Sequence, residues 1–254
     1  MSFFQDVINI VAKYYPQLLS GVGNTMLIAL TGTVAGLAIG LLTGIVRTAP
    51  FSRNGFVRVL HKILNAVIAV YVEIFRGTPM MVQAMVIYWG YAFLNDGATL
   101  PLIPAGLFIV SINTGAYMAE IVRGGIISVD KGQLEGAYSV GMTHAQAMVK
   151  VVIPQVLQNI LPSISNEFVI NIKDTSVLNV IGVTELYYMA GVIKRINLQT
   201  FQVYTVICVL YFILTFTVTR LLRLAEKKLA GSDSYTICGS GSDSQAEIHI
   251  REAQ

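Results

Sequence analysis

Charge is the scarcest commodity in this chain. Only 12% of its 254 residues are Asp, Glu, Lys or Arg, about half the share of an ordinary soluble domain, while 54% are hydrophobic. A surface wetted all round is thereby excluded, and a chain built for lipid is indicated. Cysteine is nearly absent as well: Cys208 falls in an apolar run and Cys238 in a polar tail, so no disulfide framework can be built from them. His61, His144 and His249 share no ligand spacing with each other or with cysteine, so no metal site is expected. No nucleophile has an evident base beside it in sequence, which leaves a membrane enzyme without support. The G-x-x-x-x-G-K-[ST] phosphate loop is missing, and with it that device for holding ATP. The start of the chain has no basic region leading into a short apolar core and cleavage site, so the first apolar run is read as the insertion signal.

What is abundant is long apolar sequence. Five windows stand out, at 22–46, 60–95, 102–122, 156–182 and 199–221, each ended by charge, Gly or Pro, and about 20 apolar residues suffice to cross a hydrocarbon core. The second window is too long for one upright helix and is interrupted by "FRGTPMM", where Gly77 and Pro79 favour a break. Charge decides whether it crosses once or twice. With five crossings and the N-terminus outside, the inner segments hold Arg47, Arg53, Arg58, Lys62, Arg123, Lys131, Lys150, Arg220, Arg223, Lys227 and Lys228, against Lys13, Lys194 and Arg195 outside. That satisfies the positive-inside rule, and six crossings would not. On this reading Tyr71 to Arg76 form an inner half-helix and Met80 to Leu94 complete the crossing. The expected architecture is an all-α integral membrane protein of five transmembrane helices with a cytoplasmic C-terminus. Residues 1–21 form an extracytoplasmic N-terminal segment, 22–228 the membrane domain, and 229–254, rich in Ser, Gly and Asp, a disordered cytoplasmic tail.

Gly32, Gly36, Gly40 and Gly44 recur every fourth residue and share one helical face, where another helix can approach closely. That helix could belong to the same subunit or to a partner, and the spacing alone leaves both open.

The largest inner connection, 123–154, contains "GQLEGAYSVGMTHAQ". Asp130 is placed to cap a short helix over about 133–140, with Glu135 in its first turn. Gly141 suits the left-handed position that stops such a helix, and Thr143 with Gln146 has the spacing of a capping box for the next one. A mere connector needs far fewer residues; an ordered helix, stop and second helix makes a rigid knob.

The run "EGAYSVGMTHAQAMVKVVIP" resembles the EAA signature of the membrane subunits of ATP-binding-cassette importers: Glu135, Gly136 and Ala137, then Gly141 after three residues, then Val151, Val152, Ile153 and Pro154 after nine more. Gly136, Val151 and Ile153 depart from that pattern by conservative exchanges. The stretches "VEIFRGTPMMVQ", "GAYMAEIVRGGIISVDKGQ" and "NEFVINIKDTSVLNVIGVTEL" narrow the likeness to the polar amino acid permeases, similar to the histidine, glutamine and arginine uptake systems, and it covers about residues 15–228. The resemblance implies a cytoplasmic coupling helix, with Gln133, Glu135, Gly136, Ala137, Gly141 and Pro154 meeting a separate ATPase. It implies as partners a dimer of ABC ATPase subunits, which carry the ATP and Mg, a second permease chain, identical or closely related, and an extracytoplasmic solute-binding protein. It places the chain in the bacterial inner membrane, surrounded by lipid, as a transport subunit that binds no cofactor or nucleic acid and performs no catalysis.

Two polar stripes lie at lipid depth, where exposure to hydrocarbon is costly: Asn113, Tyr117 and Glu120 in the third span, and Glu167, Asn171 and Asp174 in the fourth. Glu120 is three residues before Arg123, the spacing of an ion pair. Asn113, Tyr117, Glu167 and Asn171 are the candidates for binding an amino acid substrate, a carboxylate suiting ammonium and the amides a carboxylate; hydrogen bonds that merely hold the bundle are the alternative use. Three acidic groups against one lysine lean the cavity towards a cationic amino acid. Arg76 can snorkel or pair with Glu73, and Lys173 next to Asp174 can mark a helix irregularity. The competing function is an ion-coupled secondary amino acid transporter with Glu167 or Asp174 at the ion site, which is weakened because five spans do not divide into two equal halves.

Overall fold

The computed structural model describes residues 2–51 and 54–229, with no account of the side chain of Leu229; the expectation for the C-terminal tail lies outside them. Among the described residues there are helices and no strand. In order they are α1 (Phe3–Thr48), α2 (Gly55–Gly77), α3 (Met80–Leu94), α4 (Leu102–Ser128), α5 (Lys131–Ser139), α6 (His144–Ala147), a π-helical turn (Met148–Val152), α7 (Ile153–Asp174), a 3₁₀ stretch (Thr175–Ile181), α8 (Leu186–Asn197) and α9 (Thr200–Leu229).

The glycine row settles the topology. A Cβ placed on Gly32 would meet Val110, on Gly36 Thr114, on Gly40 Met118 and on Gly44 Val122. The partner is thus α4 of the same chain, resolving the alternative left by the spacing. Both numbers rise together, so α1 and α4 run parallel, and an odd number of crossings must separate them.

That crossing is α2 and α3 taken together. His61 meets the Val46 carbonyl at 2.8 Å, Ile68 and Val72 pack on Ala119, and Tyr88 packs with Ala105 and Ile109. The pair therefore descends α4 once, broken at Thr78–Pro79, as the Gly and Pro predict. Against α4, α7 runs antiparallel: Thr114 meets Asn171, while Gly125 faces Val156 and Ile160. The seam of α9 with α7 is antiparallel in turn, Pro162 and Glu226 lining one end of it and Val169 and Thr219 the next turns. Five crossings result, α1, α2 with α3, α4, α7 and α9. Arg47, Arg58, Lys62, Arg123, Lys131, Lys150, Arg220, Arg223, Lys227 and Lys228 lie toward one end, with α5 and α6.

α1 is longer than its apolar window. Its first residues, assigned above to the N-terminal segment, continue the same helix through a kink at Tyr14 (φ −114°, ψ 16°), two residues before Pro16, whose ring and missing N–H explain the bend. Ile10, Tyr14 and Leu18 form a core with Leu186, Ala190, Val203 and Val206. The Tyr14 hydroxyl donates to Asn197 Oδ1 at 2.6 Å, fastening the kink to α8.

α8 ends on a residue other than glycine in the left-handed region, Leu198 (φ 59°), whose side chain is 85% exposed. Left-handed backbone costs an ordinary residue about 1–2 kcal/mol, and an exposed Leu returns little. Leu198→Gly is therefore expected to raise stability by about 0.5–1 kcal/mol once glycine's own entropy is counted, visible as a higher melting midpoint in detergent. A lower midpoint would mean that the leucine side chain is engaged.

Candidate functional site

At the cation-rich end the chain builds a compact knob. Asp130 accepts from the Gly132 N–H at 2.7 Å, capping α5, which starts two residues earlier than expected and so carries Glu135 in its second turn. Gly141 has φ 80°, the left-handed stop. Thr143 and Gln146 form the reciprocal capping box of α6. The Tyr138 hydroxyl lies 2.8 Å from His144 Nδ1, tying the two helices across the glycine.

Gln133, Glu135 and Gly136 are exposed on this knob, as is Pro154 at the root of α7, and nothing lies within 4 Å of a Cβ built on Gly136 or Gly141. Ala137 is placed differently from its neighbours on the knob. It is only 6% exposed and faces inward with Leu134, which packs on Val122, Met148 and Val152, so it seats α5 on its own chain and is not offered outward. The outward apolar residues are Tyr138 and Val140, the latter 75% exposed. Sequence reasoning missed both; their signal was apolar residues in a stretch that needed none for its own folding.

The lipid-depth residues divide. Asn113 donates to Gln83 Oε1 at 2.8 Å, and Gln83 in turn donates to the Phe75 and Thr78 carbonyls, both at 2.9 Å. That chain satisfies backbone groups freed at the α2–α3 break. Asn171 donates to Thr33 Oγ1 at 2.8 Å and accepts from Thr114 Oγ1 at 3.1 Å, joining α1, α4 and α7. Both asparagines are buried, and these hydrogen bonds join helices of the bundle. Glu120 accepts two hydrogen bonds from Arg123, at 2.8 and 2.9 Å, as its spacing predicts, and is also ion-paired with Arg47 across α1 and α4.

Tyr117 and Glu167 remain open to other use. The Arg76 guanidinium sits 5.6 Å from the Tyr117 ring centroid, in cation–π range, and is not ion-paired with Glu73. The charges that act on Glu167 are those of Asp174 and Arg76, while Lys173 acts on Asp174. Around them the uncovered face of α7 carries Asn159, Ser163, Asn166, Lys173 and Asp174, all exposed. A membrane-spanning face of that composition is costly against hydrocarbon, so it is built for water or for another polar surface. Asn159, Ser163 and Asn166 recur at spacings of four and three, with Lys173 and Asp174 two turns further on, a signal that was available in the sequence. Beside it a cleft of about 260 Å³ between α7 and α9 is lined by Ser165, Asn166, Thr219, Arg223 and Glu226. As the adjacent Lys173 and Asp174 suggested, α7 ends there and passes into 3₁₀ helix.

A second acidic hub lies at the other end. Glu185 is fully buried; its carboxylate caps α8 through the Tyr187 and Tyr188 N–H groups at 2.8 and 2.7 Å and accepts from the Tyr211 hydroxyl at 2.9 Å. Burial pushes this carboxyl up from its ordinary range, and the three donors act in the opposite sense. Lying between two apolar windows, it attracted no attention in the sequence. Among the described residues no group of three His, Cys, Asp or Glu is placed to hold a metal.

A five-crossing bundle with a charged face at lipid depth and an ordered knob at one end defines a polytopic transport subunit. Residues 36–231 match the family described as "Binding-protein-dependent transport system inner membrane component", and the chain belongs to that family. It is 34% identical to the glutamine transport system permease protein GlnP of Escherichia coli (strain K12) over 214 residues, 84% of this chain and 93% of that protein. It is 33% identical to the L-cystine transport system permease protein TcyB of Bacillus subtilis (strain 168) over 218 residues, 85% of this chain and 88% of that protein. Among solved structures, one described as an amino acid ABC transporter with histidines matches with a TM-score of 0.74 and 35% identity, covering 90% of this chain and 99% of that one. An inward-facing MetNI methionine ABC transporter matches at 0.69 with 18% identity over 85% of this chain and 98% of that one, a likeness of fold alone. The protein is therefore a multi-pass inner membrane permease subunit of an ABC importer, and the ion-coupled carrier is set aside.

Proposed function

We propose that this subunit carries polar, zwitterionic amino acids inward by alternating access, driven by a dimer of separate ABC ATPase subunits that bind ATP and Mg. It works beside a second permease chain and receives substrate from an extracytoplasmic binding protein, and it performs no covalent chemistry itself. The observation that carries the reading is the α5–α6 knob: rigidly capped, outward-facing through Glu135, Tyr138 and Val140, and placed at the end where the cations gather. The positive-inside rule makes that end cytoplasmic, with the N-terminus of the chain outside.

The named relatives, a glutamine and an L-cystine permease, support an amino acid as cargo. The charge balance refines its class. Glu120 is spent on two arginines, and Arg76 joins the face near Glu167, so two acids, Glu167 and Asp174, stand against two cations, Arg76 and Lys173. The lean towards a cationic substrate disappears, and a zwitterion with a polar side chain fits the balanced face best. Tyr117 and Glu167 are its proposed contacts, with Asn113 and Asn171 holding the helices that present them.

Glu135→Arg reverses the charge at one exposed position of the knob without touching a buried contact. In proteoliposomes containing the whole complex, uptake is expected to fall at least about ten-fold, the equivalent of ~1.4 kcal/mol of docking, with the amount of assembled permease unchanged. Wild-type uptake would count against the docking role of α5.

A further inference from the structure

α5 does not rest on ordinary helix. Beneath it, Met148–Val152 form a π turn, in which the Ile153 N–H donates to the Met148 carbonyl, five residues back. π turns are rare and cluster at functional sites, so this one needs a cause. Pro154 supplies it. In a continuous α-helix its ring would press on the carbonyl of Lys150, four residues back, and the backbone bond there would be lost; a wider turn removes the clash. Gln155 completes the arrangement, its Nε2 donating to the Val151 carbonyl at 2.9 Å and satisfying a group inside the widened turn.

The turn sits between two moving parts of the proposed cycle. On one side Leu134 packs on Met148 and Val152, with Ala137 buried beside it. On the other, the helix runs without interruption into α7, whose uncovered face carries Asn166, Glu167 and Asp174. Met148, Val152 and Val156 are buried, whereas Val149 and Lys150 are exposed, so the extra residue of the turn bulges outward while the packed residues keep their places.

We infer that this π turn, held open by Pro154 and Gln155, is the joint through which displacement of α5 turns the polar face of α7. The inference rests on the ATP-driven reading above. A π turn holds one residue more than the α turn it replaces; tightening it hands that residue along the helix, and each residue handed on turns the helix beyond by about 100°. A push on α5 is thereby converted into rotation of the face that bears Glu167, which an unbroken α-helix, stiff in torsion, would transmit only as tilt. Pro154 and Gln155 are positioning residues: they touch neither nucleotide nor cargo and act through the shape of the turn.

The test uses the complete complex, with its ATPase and binding protein, in proteoliposomes, and reads uptake per ATP hydrolysed alongside basal hydrolysis. Gln155→Ala, which removes only the side-chain donor to the Val151 carbonyl, is expected to lower uptake per ATP about three- to ten-fold while basal hydrolysis and assembly stay at the parent level. Deleting Lys150 in the Pro154→Ala background closes the turn to α-helix with both flanks in register and is expected to take uptake to background. A merely structural role would lower assembly, basal hydrolysis and uptake together, and that pattern overturns the proposal. So does parental uptake per ATP in either variant. Pro154→Ala alone carries a second reading: a fall in uptake per ATP supports the joint and a parental ratio overturns it. Absence of ATP-dependent uptake in the unmodified complex overturns the importer reading itself, and the joint with it.

Discussion

Gly40→Val is expected to leave no recoverable folded subunit. A Cβ at Gly40 would stand 2.4 Å from the Met118 Cβ, 2.7 Å from its carbonyl carbon and 3.0 Å from the Ala119 nitrogen, where carbon atoms in contact want about 3.5–4.0 Å. Rotamer changes cannot relieve a clash with main chain, so α1 and α4 must part by an ångström or more. Overpacking of a closed core costs about 1–3 kcal/mol even when side chains can give, and here the adjoining teeth at Gly36 and Gly44, with their Cβ positions 2.7 and 2.6 Å from Thr114 and Val122, loosen with it. Gly40→Ala should show a graded version, a lower melting midpoint with some subunit retained. Gly23, on the same helix, has nothing within 4 Å of its Cβ position, so Gly23→Ala should be neutral or gain up to about 1 kcal/mol from helix propensity. Gel filtration after heating, with the three variants side by side, gives the ranking. Equal midpoints for Gly40→Val and the parent would show that this seam is not closed in the membrane.

Replacing Glu167 should have the largest effect on transport itself. The α7 face is balanced between Glu167 with Asp174 and Arg76 with Lys173; neutralising Glu167 leaves it one positive charge out of balance, and Glu167→Lys leaves it two. At a separation of about 6 Å and an effective dielectric constant of about 20, one unit charge changes the energy of another by about 2–3 kcal/mol. Glu167→Gln is thus expected to cut uptake of cationic amino acids about ten- to a hundred-fold relative to zwitterionic ones, and Glu167→Lys to abolish uptake of both. Basal ATP hydrolysis by the complex should persist, since the knob lies elsewhere. Competition uptake with labelled glutamine against unlabelled arginine, lysine and asparagine measures the shift, and an unaltered order of preference would remove Glu167 from the pathway.

Much of this was legible in the sequence where the determinant is local. Asp130, Gly141 and the Thr143–Gln146 pair each act within four residues, so caps and stop were readable to within a residue or two. Pro79 broke the second crossing for the same reason. Facing was another matter. Asn113 and Asn171 meet Gln83, Thr33 and Thr114 from other helices, and nothing near them in sequence announces those partners. Ala137 shares a short helix with Gln133 and Glu135, yet it turns inward because Leu134 and the π turn need a floor. Residues 3–21 and α8 escaped because distant segments place them: the Tyr14–Asn197 hydrogen bond and the Leu186 N–H donating to Thr25 Oγ1 join parts far apart in the chain. The π turn was hidden for a different reason, since proline in a helix reads as a stop until the turn before it is seen to widen.

The seam between α1 and α4 also sets an order of events during biogenesis. α1 leaves the insertion machinery with its glycine face bare, and its partner is not made until α2 and α3 have crossed the bilayer and returned the chain to the other side. A face of glycines tolerates that wait, because it exposes no polar side chain to lipid and offers little surface for a wrong helix to grip. Zipping begins only when Val110 to Val122 enter beside it, so α1 enters the membrane ahead of α4 and is locked only once α4 arrives.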